Sequence, residues 1–430
     1  MRIESIDTFQ IFDSRGNPTV EVEITLDNGI TGNGLVPSGA STGQYEALEL
    51  RDGHSRYRGR SVFQAVANIR NEIAPLLKGQ DVHDQESIDR RMIELDGTEN
   101  KQRLGANAIH GVSMAAARAA AISQDKALFD YLGKGKGSLI PLPEIQIIGG
   151  GAHAGWRIDV QDFMLVAVGA ECYVDTLEMT FNVYHAAGDI LKERQQFAGI
   201  ADEGGYWPEF KTNEAAFEFF MEAIARTGYA PGTDVTISLD IAASDLYDPG
   251  RGTYRFRLED KTFTTQEFAE LMVSWCEKYP IIAIEDPMAD TDWSGWDMLY
   301  TELGRKVQLI GDDLFTTNIR RIRQGIERGV ANAVLIKLNQ IGTVTETLEA
   351  IRLTREAGWM PVVSARSGET EDAFISHLAV ASNAGQLKVG SFARSERMAK
   401  WNEVLRIERA LGTKARFEGG RIFNRILVDK

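Results

Sequence analysis

Charged side chains end a series of short apolar segments in the second half of the chain. Asp240 ends TISLD, Glu285 ends IIAIE and Asp312 ends QLIGD, and Lys337 ends AVLIK in the same way. The spacings from Glu285 to Asp312 (312 - 285 = 27) and from Asp312 to Lys337 (337 - 312 = 25) each match one strand followed by one helix. If these segments are neighbouring parallel strands, their charged ends meet at one rim, where the active sites of β/α barrels lie.

Three carboxylates at one rim would repel one another unless a cation lay between them. Hard oxygen ligands without a cluster of Cys or His favour Mg²⁺ over zinc. Lys337 and Lys388, the latter within QLKVG, would then stand beside the cation. Like charge and burial both favour a neutral amine, which can act as a base near neutral pH. A single strand-end acid or lysine can equally cap a helix or form an ion pair, so the prediction depends on the whole group.

Three loops add further polar groups. PSGASTG, residues 37–43, combines hydroxyls with glycines and suits a lid that closes on an anion or a metal ion, although a simple turn has the same composition. IIGGGAHAGW, residues 147–156, places His153 in a stretch where glycine lets the backbone approach an anion. ADEGGYWP, residues 201–208, places Glu203 before two glycines, where it can serve as a general acid, but this pattern is also typical of a surface loop.

The elements that must position these residues are strands alternating with helices. VTISLDIAAS, IIAIEDPM, VQLIGDDLF, NAVLIKLNQ, MPVVSARSG and QLKVGSF are apolar runs, most of them separated by amphipathic helical patterns. They predict an α/β fold with a parallel sheet covered by helices, and so many units favour a barrel. The first part shows alternating strands and then helices, the clearest from Asn107 to Leu132. A Gly- and Pro-rich segment at residues 133–143 predicts a boundary between an α+β domain, 1–134, and a β/α barrel, 135–430.

The composition limits the class of protein. Of the 430 residues, 43% are hydrophobic and 25% are charged, which is typical of a globular chain with enough apolar material for two domains. The net charge of -15 disfavours nucleic acid or an anionic membrane as a partner. The two cysteines are too few for a disulfide framework, the first residues lack a signal-peptide pattern, and no apolar run is long enough to span a bilayer. These features predict a soluble, cytoplasmic protein.

Several motifs occur in the order that the enolase family has them: DSRGNPTVEVE, PSGASTG with EALELRD, DEGG, IEDP, GDD, NQIGT and SGETED. The chain therefore resembles the enolase family over essentially its whole length. The resemblance implies a small N-terminal α+β domain, a modified β/α barrel and usually a homodimer. It also implies two Mg²⁺ ions in each active site. Asp240, Glu285 and Asp312 match the ligands of the first, and Ser41 on the closing loop matches a ligand of the second.

The resemblance further implies a lyase that removes a proton next to a carboxylate and expels a neighbouring hydroxyl from a small phosphorylated acid. Lys337 matches the general base and Glu203 matches the acid that assists departure of the hydroxyl. Proton removal creates a dianionic enolate, which needs concentrated positive charge. The other matching residues are Asp162 as a further catalytic acid, Lys388 at the substrate carboxylate, Arg366 and Ser367 at the phosphoryl group, and His153 and Gln161 as substrate contacts.

Departures from the family pattern cluster at the leaving hydroxyl and at the phosphoryl end. Ala365 stands where the family has His, and Asp162 shortens an acid by one methylene group, which can move a carboxylate out of hydrogen-bond reach. Because the metal and base positions are kept, we predict a specialised paralog that resembles carboxyphosphonoenolpyruvate synthase of phosphonate biosynthesis and takes a phosphonylated substrate. The remaining departures are Gly149, Ala201 and Tyr206-Trp207-Pro208.

Two other functions stay open at this point. One is an ordinary enolase that converts 2-phosphoglycerate to phosphoenolpyruvate and tolerates the changes. The other is a non-catalytic binding protein with the same fold, which the retained acids and lysines disfavour. Trp156 and Trp207 either line an enlarged pocket, where they could stack on a nucleotide base, or brace the loops that carry them.

Overall fold

The N-terminal part of the computed structural model, which describes residues 1–40, 43–53 and 55–427, begins with an antiparallel sheet of three strands in sequence order. The turn between the first two strands is closed by Asp13, whose Oδ1 accepts hydrogen bonds from the backbone N–H groups of Arg15 and Asn17. The second strand is buried over most of its length. The strands are β1 (Ile3–Phe12), β2 (Pro18–Leu26) and β3 (Thr31–Leu35).

Helices pack on one face of this sheet. The alanine-rich segment forms a helix that is almost entirely buried, because its small side chains let the sheet approach its backbone. A Cβ atom added at Gly32 would lie 2.3 Å from the backbone N of Ala119, so the contact requires glycine. The helices are α1 (Phe63–Asn68), α2 (Ala74–Leu77) after one π-helical turn (Ile69–Ile73), α3 (Gln85–Asp96), α4 (Ala106–Ser123) and α5 (Leu128–Leu132).

The single helix predicted from Asn107 to Leu132 is two helices, α4 and α5. The chain leaves the helical conformation at Asp125, which adopts a left-handed φ of 53°. The N–H of Lys126 donates to the carbonyl of Ala121 over 3.0 Å and closes the helix end. An aspartate that adopts a left-handed conformation is a recognised way to end a helix, but helix-compatible residues on both sides concealed the break.

The C-terminal part alternates strands and helices. Its strands are β4 (Leu139–Ile140), β5 (Leu142–Gly149), β6 (Asp162–Val166), β7 (Thr236–Asp240), β8 (Tyr247–Asp248), β9 (Thr253–Phe256), β10 (Lys261–Thr264), β11 (Ile281–Glu285), β12 (Gln308–Gly311), β13 (Ala333–Ile336), β14 (Met360–Ser364), β15 (Gln386–Ser391) and β16 (Arg416–Phe417). Its helices are α6 (Tyr173–Glu193), α7 (Asn213–Thr227), α8 (Thr265–Lys278), α9 (Trp293–Leu303), α10 (Ile319–Arg328), α11 (Leu338–Ile341), α12 (Val344–Glu356), α13 (Phe374–Ala381) and α14 (Ser395–Leu411).

Eight of these strands close into a barrel in the order β11-β12-β13-β14-β15-β5-β6-β7. Every residue of the barrel strands is buried, as expected for a sheet that is filled inside and covered by helices outside. The α/β fold class and the barrel are confirmed. The sheet is not wholly parallel, however, because β6 runs antiparallel to both β5 and β7.

Buried polar contacts join the N-terminal helices to the barrel. Arg118 on α4 pairs with Asp372, at 2.6 Å between Nη2 and Oδ1. Asp89 on α3 accepts hydrogen bonds from the N–H and hydroxyl of Thr345, at 3.0 and 2.6 Å. The contacts require a fixed orientation of the two parts, although the boundary between residues 134 and 135 stays a prediction. No helix among the described residues is long and apolar enough to cross a membrane.

Asp89 gives a pH-dependent prediction for this junction. Burial raises the pKa of Asp89 to about 6, from 3.8. The carboxyl group therefore favours folding while it is protonated, and this contribution is lost as the pH rises through about 6. An asparagine side chain cannot titrate, so the stability of Asp89→Asn relative to the wild type should rise by about 3 kcal/mol between about pH 4 and pH 7. Urea unfolding across this range measures the difference, and a difference that does not change with pH would contradict the prediction.

Candidate active site

Four charged residues lie at the same end of consecutive barrel strands. Asp240 and Glu285 are the last residues of β7 and β11 and are paired in register. Asp312 follows β12 directly, and Lys337 follows β13. All three acids are buried, and the side chain of Lys337 is 13% exposed. The structure therefore brings together the residues that the strand ends predicted, and the geometry follows from the parallel order of these four strands.

Lys388 lies at the centre of the acidic group. Its Nζ is 2.8 Å from Oδ2 of Asp240 and 2.6 Å from Oε2 of Glu285. It is also 3.4 Å from Oδ2 of Asp162. Burial alone would lower the pKa of Lys388, but the surrounding carboxylates outweigh burial and hold the pKa well above its usual value. Lys388 is therefore a fixed cation, which suits a residue that binds a carboxylate.

The predicted metal ligands fit a hard divalent cation. Asp240, Glu285 and Asp312 offer only oxygen donors. Oε1 of Glu285 is buried and has no hydrogen-bond partner among the described residues. Burial and the charge of Asp240 raise the pKa of Glu285 well above its usual value, so this part of the rim favours additional positive charge. Ser41, predicted as a ligand of a second ion, lies outside the described residues.

A second trio of acids lies close by. Oxygens of Asp286, Asp312 and Asp313 come within 4.8 Å of one another, one from each residue. Asp286 already accepts hydrogen bonds from the backbone N–H groups of Asp312 and Asp313, at 2.9 and 2.7 Å. Because both of its oxygens are engaged in this way, Asp286 orients the turn that presents Asp312.

Lys337 is bound to the acid beside it. Its Nζ is 2.5 Å from Oδ2 of Asp312, whose Oδ1 accepts a hydrogen bond from Gln340 at 2.8 Å. Burial would lower the pKa of Lys337, but the charge of Asp312 outweighs burial and raises it. The sequence suggested a neutral amine, yet these side chains alone keep the lysine charged. A cation bound to the same carboxylates would offset their charge and lower the pKa of the amine.

His153 and Glu203 also line this cavity. Nδ1 of His153 is 3.4 Å from Oε1 of Glu203, which is an ion-pair contact longer than an ordinary hydrogen bond. Burial opposes a charge on His153, but Glu203 outweighs it and raises the pKa of His153 to about 9. The imidazolium correspondingly lowers the pKa of Glu203 despite its burial. Both shifts favour a protonated His153 beside an ionised Glu203, whereas sequence reasoning placed the proton on Glu203.

Asp162 and Gln161 lie next to the acidic strand ends. Asp162 begins β6, and because β6 is reversed, its first residue reaches the same rim as the last residue of β7, Asp240. Nε2 of Gln161 donates to Oδ2 of Asp240 over 3.0 Å. Burial raises the pKa of Asp162 to about 6, although the charge of Lys388 opposes the rise.

Arg366 and Ser367 follow β14 and contact the N-terminal part. Nη1 of Arg366 donates to Oε2 of Glu46 and to Oδ1 of Asn339, both over 2.9 Å. The backbone N–H of Ala40 donates to Oγ of Ser367 over 2.7 Å. The predicted phosphoryl contacts are thus joined to segments on both sides of Ser41, and Ala40 and Glu46 of these segments line the cavity.

The departures from the family pattern differ in their surroundings. Ala365 lines the cavity between Ser364 and Arg366. Trp156 and Trp207 are not among the described residues that line it. The Arg257 guanidinium stacks over the Trp156 ring at 3.7 Å from its centroid, and Arg157 lies 4.9 Å from the centroid of Trp207. The tryptophans brace the loops, and this arrangement does not support the suggested stacking on a nucleotide base.

Several residues of the site escaped the sequence analysis. Glu46 and Gln340 lie within the motifs EALELRD and NQIGT, whose individual residues carried no assigned role. Arg397 on α14 is fully buried and donates to the backbone carbonyls of Arg366, at 2.6 Å, and Ser367, at 2.5 Å. Gln146 interrupts the otherwise apolar end of β5. A polar residue in a fully buried strand was the signal for Gln146, whereas nothing in the sequence connects Arg397 with residues 366 and 367.

Comparison with known proteins covers almost the whole chain. The family model described as the enolase N-terminal domain matches residues 3–132. The model described as the enolase C-terminal TIM barrel domain matches residues 137–426. A protein named Enolase 1 from Desulfitobacterium hafniense (strain Y51) is 56% identical over 423 residues, which are 98% of this chain and 97% of that relative.

Proposed function

The chain belongs to the enolase family, and we propose that it is a Mg²⁺-dependent enolase that interconverts 2-phosphoglycerate and phosphoenolpyruvate. The observation that carries the proposal is one cavity that is lined both by two lysines and by a His–Glu pair. Lys337 and Lys388 lie beside the acidic strand ends, and His153 and Glu203 line the same cavity. Family membership supports a lyase, and the name of the near full-length relative favours the ordinary reaction.

Different side chains of the cavity would carry out different steps of the reaction. Lys388, a fixed cation, binds the substrate carboxylate, and the amine of Lys337 accepts the proton from the neighbouring carbon. The His153–Glu203 pair supplies a proton to the departing hydroxyl, while Arg366 and Ser367 bind the phosphoryl group. Asp240, Glu285 and Asp312 would hold Mg²⁺, which when bound supplies positive charge that stabilises an enolate.

The specialised paralog is the second candidate. Ala365 lines the cavity and Asp162 is short, and these two observations favour a changed substrate. The comparisons give no specific support for phosphonate chemistry, and the relative named Enolase 1 favours the ordinary enzyme. The braced positions of Trp156 and Trp207 also remove one argument for a nucleotide-activated substrate.

One experiment distinguishes the candidates. The purified protein is incubated with Mg²⁺ and 2-phosphoglycerate, with and without nucleotide-activated phosphonoformate, and products are followed by phosphorus NMR. We expect phosphoenolpyruvate from 2-phosphoglycerate alone, loss of turnover with a chelator and recovery with added Mg²⁺. A new carbon–phosphorus product that requires both substrates would favour the paralog. Absence of any turnover with Mg²⁺ would favour the non-catalytic binding protein.

We also propose a homodimer, as the family resemblance implies, and a location in the cytoplasm, as the composition predicts. Phe12, Val174 and Phe181 are large apolar side chains, each about half exposed, and supply apolar surface for such an interface. Light scattering coupled to size-exclusion chromatography measures the mass directly, and a monomer at micromolar concentration would contradict the assembly.

A further inference from the structure

Gln146 on β5 is a buried amide with both ends engaged. Its side chain is fully buried. Its Nε2 donates to Oδ1 of Asp162, and its Oε1 accepts a hydrogen bond from the backbone N–H of Gly205 over 2.8 Å. Because a backbone N–H can only donate, the carbonyl of the amide must face Gly205. The NH₂ group must then face Asp162, so the orientation of the amide is determined.

This contact fixes how Asp162 presents its carboxylate. One oxygen accepts from Gln146, and the other lies 3.4 Å from Nζ of Lys388. The carboxylate is thus held between a neutral donor and a cation. Removing either partner would let the short side chain turn within the cavity, away from the position that the substrate hydroxyl must meet.

The other end of the amide holds the turn that carries Glu203. A Cβ atom added at Gly205 would lie 2.4 Å from Oε1 of Gln146, so the turn packs directly against the amide. The same turn is joined to β5 by the N–H of Tyr206, which donates to the carbonyl of Ile147 over 2.9 Å. The carbonyl of Glu203 accepts from the N–H of Ser391 over 2.9 Å. Gln146 therefore holds Asp162 by a direct hydrogen bond and holds Glu203 through the turn at Gly205.

We propose that Gln146 is a positioning residue that sets Asp162 and Glu203 together for protonation of the leaving hydroxyl. The inference rests on the proposed elimination reaction. Gln146 and Asp162 are both buried and bond directly to each other, so the site fixes the combined length of the two side chains. A methylene group added at residue 162 fits only if one is removed at residue 146.

The test removes one methylene group at residue 146 and adds one at residue 162. Gln146→Asn opens a gap and Asp162→Glu creates a clash, so each single variant should lower kcat about 10- to 100-fold, the usual consequence of a misplacement near 1 Å. The double variant Gln146→Asn with Asp162→Glu should recover at least about tenfold over either single variant. Exchange of the substrate C2 proton with solvent should persist in all three variants, because Lys337 is unchanged. A purely structural defect would lower exchange and elimination together.

Gln308→Asn is the matched control. Gln308 is also a fully buried barrel glutamine, and its amide donates to Oε1 of Gln386 over 2.7 Å, without contact to Asp162. We expect it to lower the thermal midpoint and to leave kcat unchanged. Losses that add in the double variant, or exchange that falls with elimination, would overturn the inference. Wild-type protein without turnover would overturn the proposed function instead. In that case, thermal midpoints test whether Gln146 and Asp162 are coupled. A double variant with a higher midpoint than either single variant would support the coupling, and decreases in midpoint that add would overturn it.

Discussion

Replacing Lys337 by Met should lower kcat by about 10² to 10⁴, the range for loss of a positioned general base. Lys337 and Lys388 line the cavity, and Lys388 is tied to Asp240 and Glu285. Lys337 is paired with one carboxylate, that of Asp312, and its side chain is 13% exposed, against 8% for Lys388. Lys337 therefore has the better access to a substrate proton. Its methionine variant keeps an unbranched apolar stem as far as the position of Cε while removing the amine.

Three measurements separate loss of the base from loss of the site. Exchange of the C2 proton with solvent should disappear together with turnover, because both require the base. Calorimetric Mg²⁺ binding should persist, since Asp312 loses a competing cation at 2.5 Å and keeps its own charge. Lys101→Met is a control at another buried lysine, which pairs with Glu346 at 3.0 Å. Persistent C2 exchange in Lys337→Met would assign the base to a different group.

Replacing Asp372 by Asn should destabilise the protein by about 3 to 5 kcal/mol, because it leaves the Arg118 guanidinium partly buried without its counter-ion. Both oxygens of Asp372 accept from Arg118, at 3.0 and 2.6 Å, and they also accept from the backbone N–H of Leu35 and of Phe374. Burial would raise the pKa of Asp372, but the charge and hydrogen bonds of Arg118 outweigh burial and lower it.

The sign of the pH dependence follows from that lowered pKa. The carboxylate stabilises the fold above the pKa of the unfolded chain, and this contribution is lost as the pH falls through the folded-state pKa. The difference in free energy of unfolding between wild type and Asp372→Asn should therefore be largest at neutral pH and become smaller in acid. Urea unfolding at several pH values measures this difference. Glu356→Gln is the control, since its pair with Arg352 is more than half exposed and contributes at most about 0.5 kcal/mol. Equal effects of the two variants at neutral pH would contradict the prediction.

Sequence alone predicted the half of the site that is built on parallel strands. Asp240, Glu285, Asp312 and Lys337 each end an apolar run, and a parallel barrel has only one rim on which such ends can meet. The fold class followed from the same alternation of strands and helices. These predictions succeeded because side-chain position and strand direction are coupled by a simple local rule.

The other half could not be predicted in that way. Asp162 begins its strand, so the rule for strand ends gives no reason to place it beside Asp240. Gln146 and Arg397 act through contacts across distant segments, which no local pattern encodes. The charge of Lys337 depends on the distance to Asp312, and sequence gives the presence of the acid without the 2.5 Å separation. Family resemblance supplied Asp162, His153 and Glu203, whereas their protonation required the structure.

The reversed strand β6 has a consequence for the kind of loop that the chain places at the rim of Asp240. In an ordinary strand–helix unit, the loop at that rim joins a strand to a helix. Here β5 ends at the rim and β6 starts there, so β6 ends at the far end of the barrel, where β7 begins. The connection from β6 to β7 must therefore cross the barrel an even number of times, and helices α6 and α7 are the two crossings. Two ordinary units would also place two loops at this rim, but here one loop joins two strands and the other joins two helices. The first loop carries His153 and the second carries Glu203.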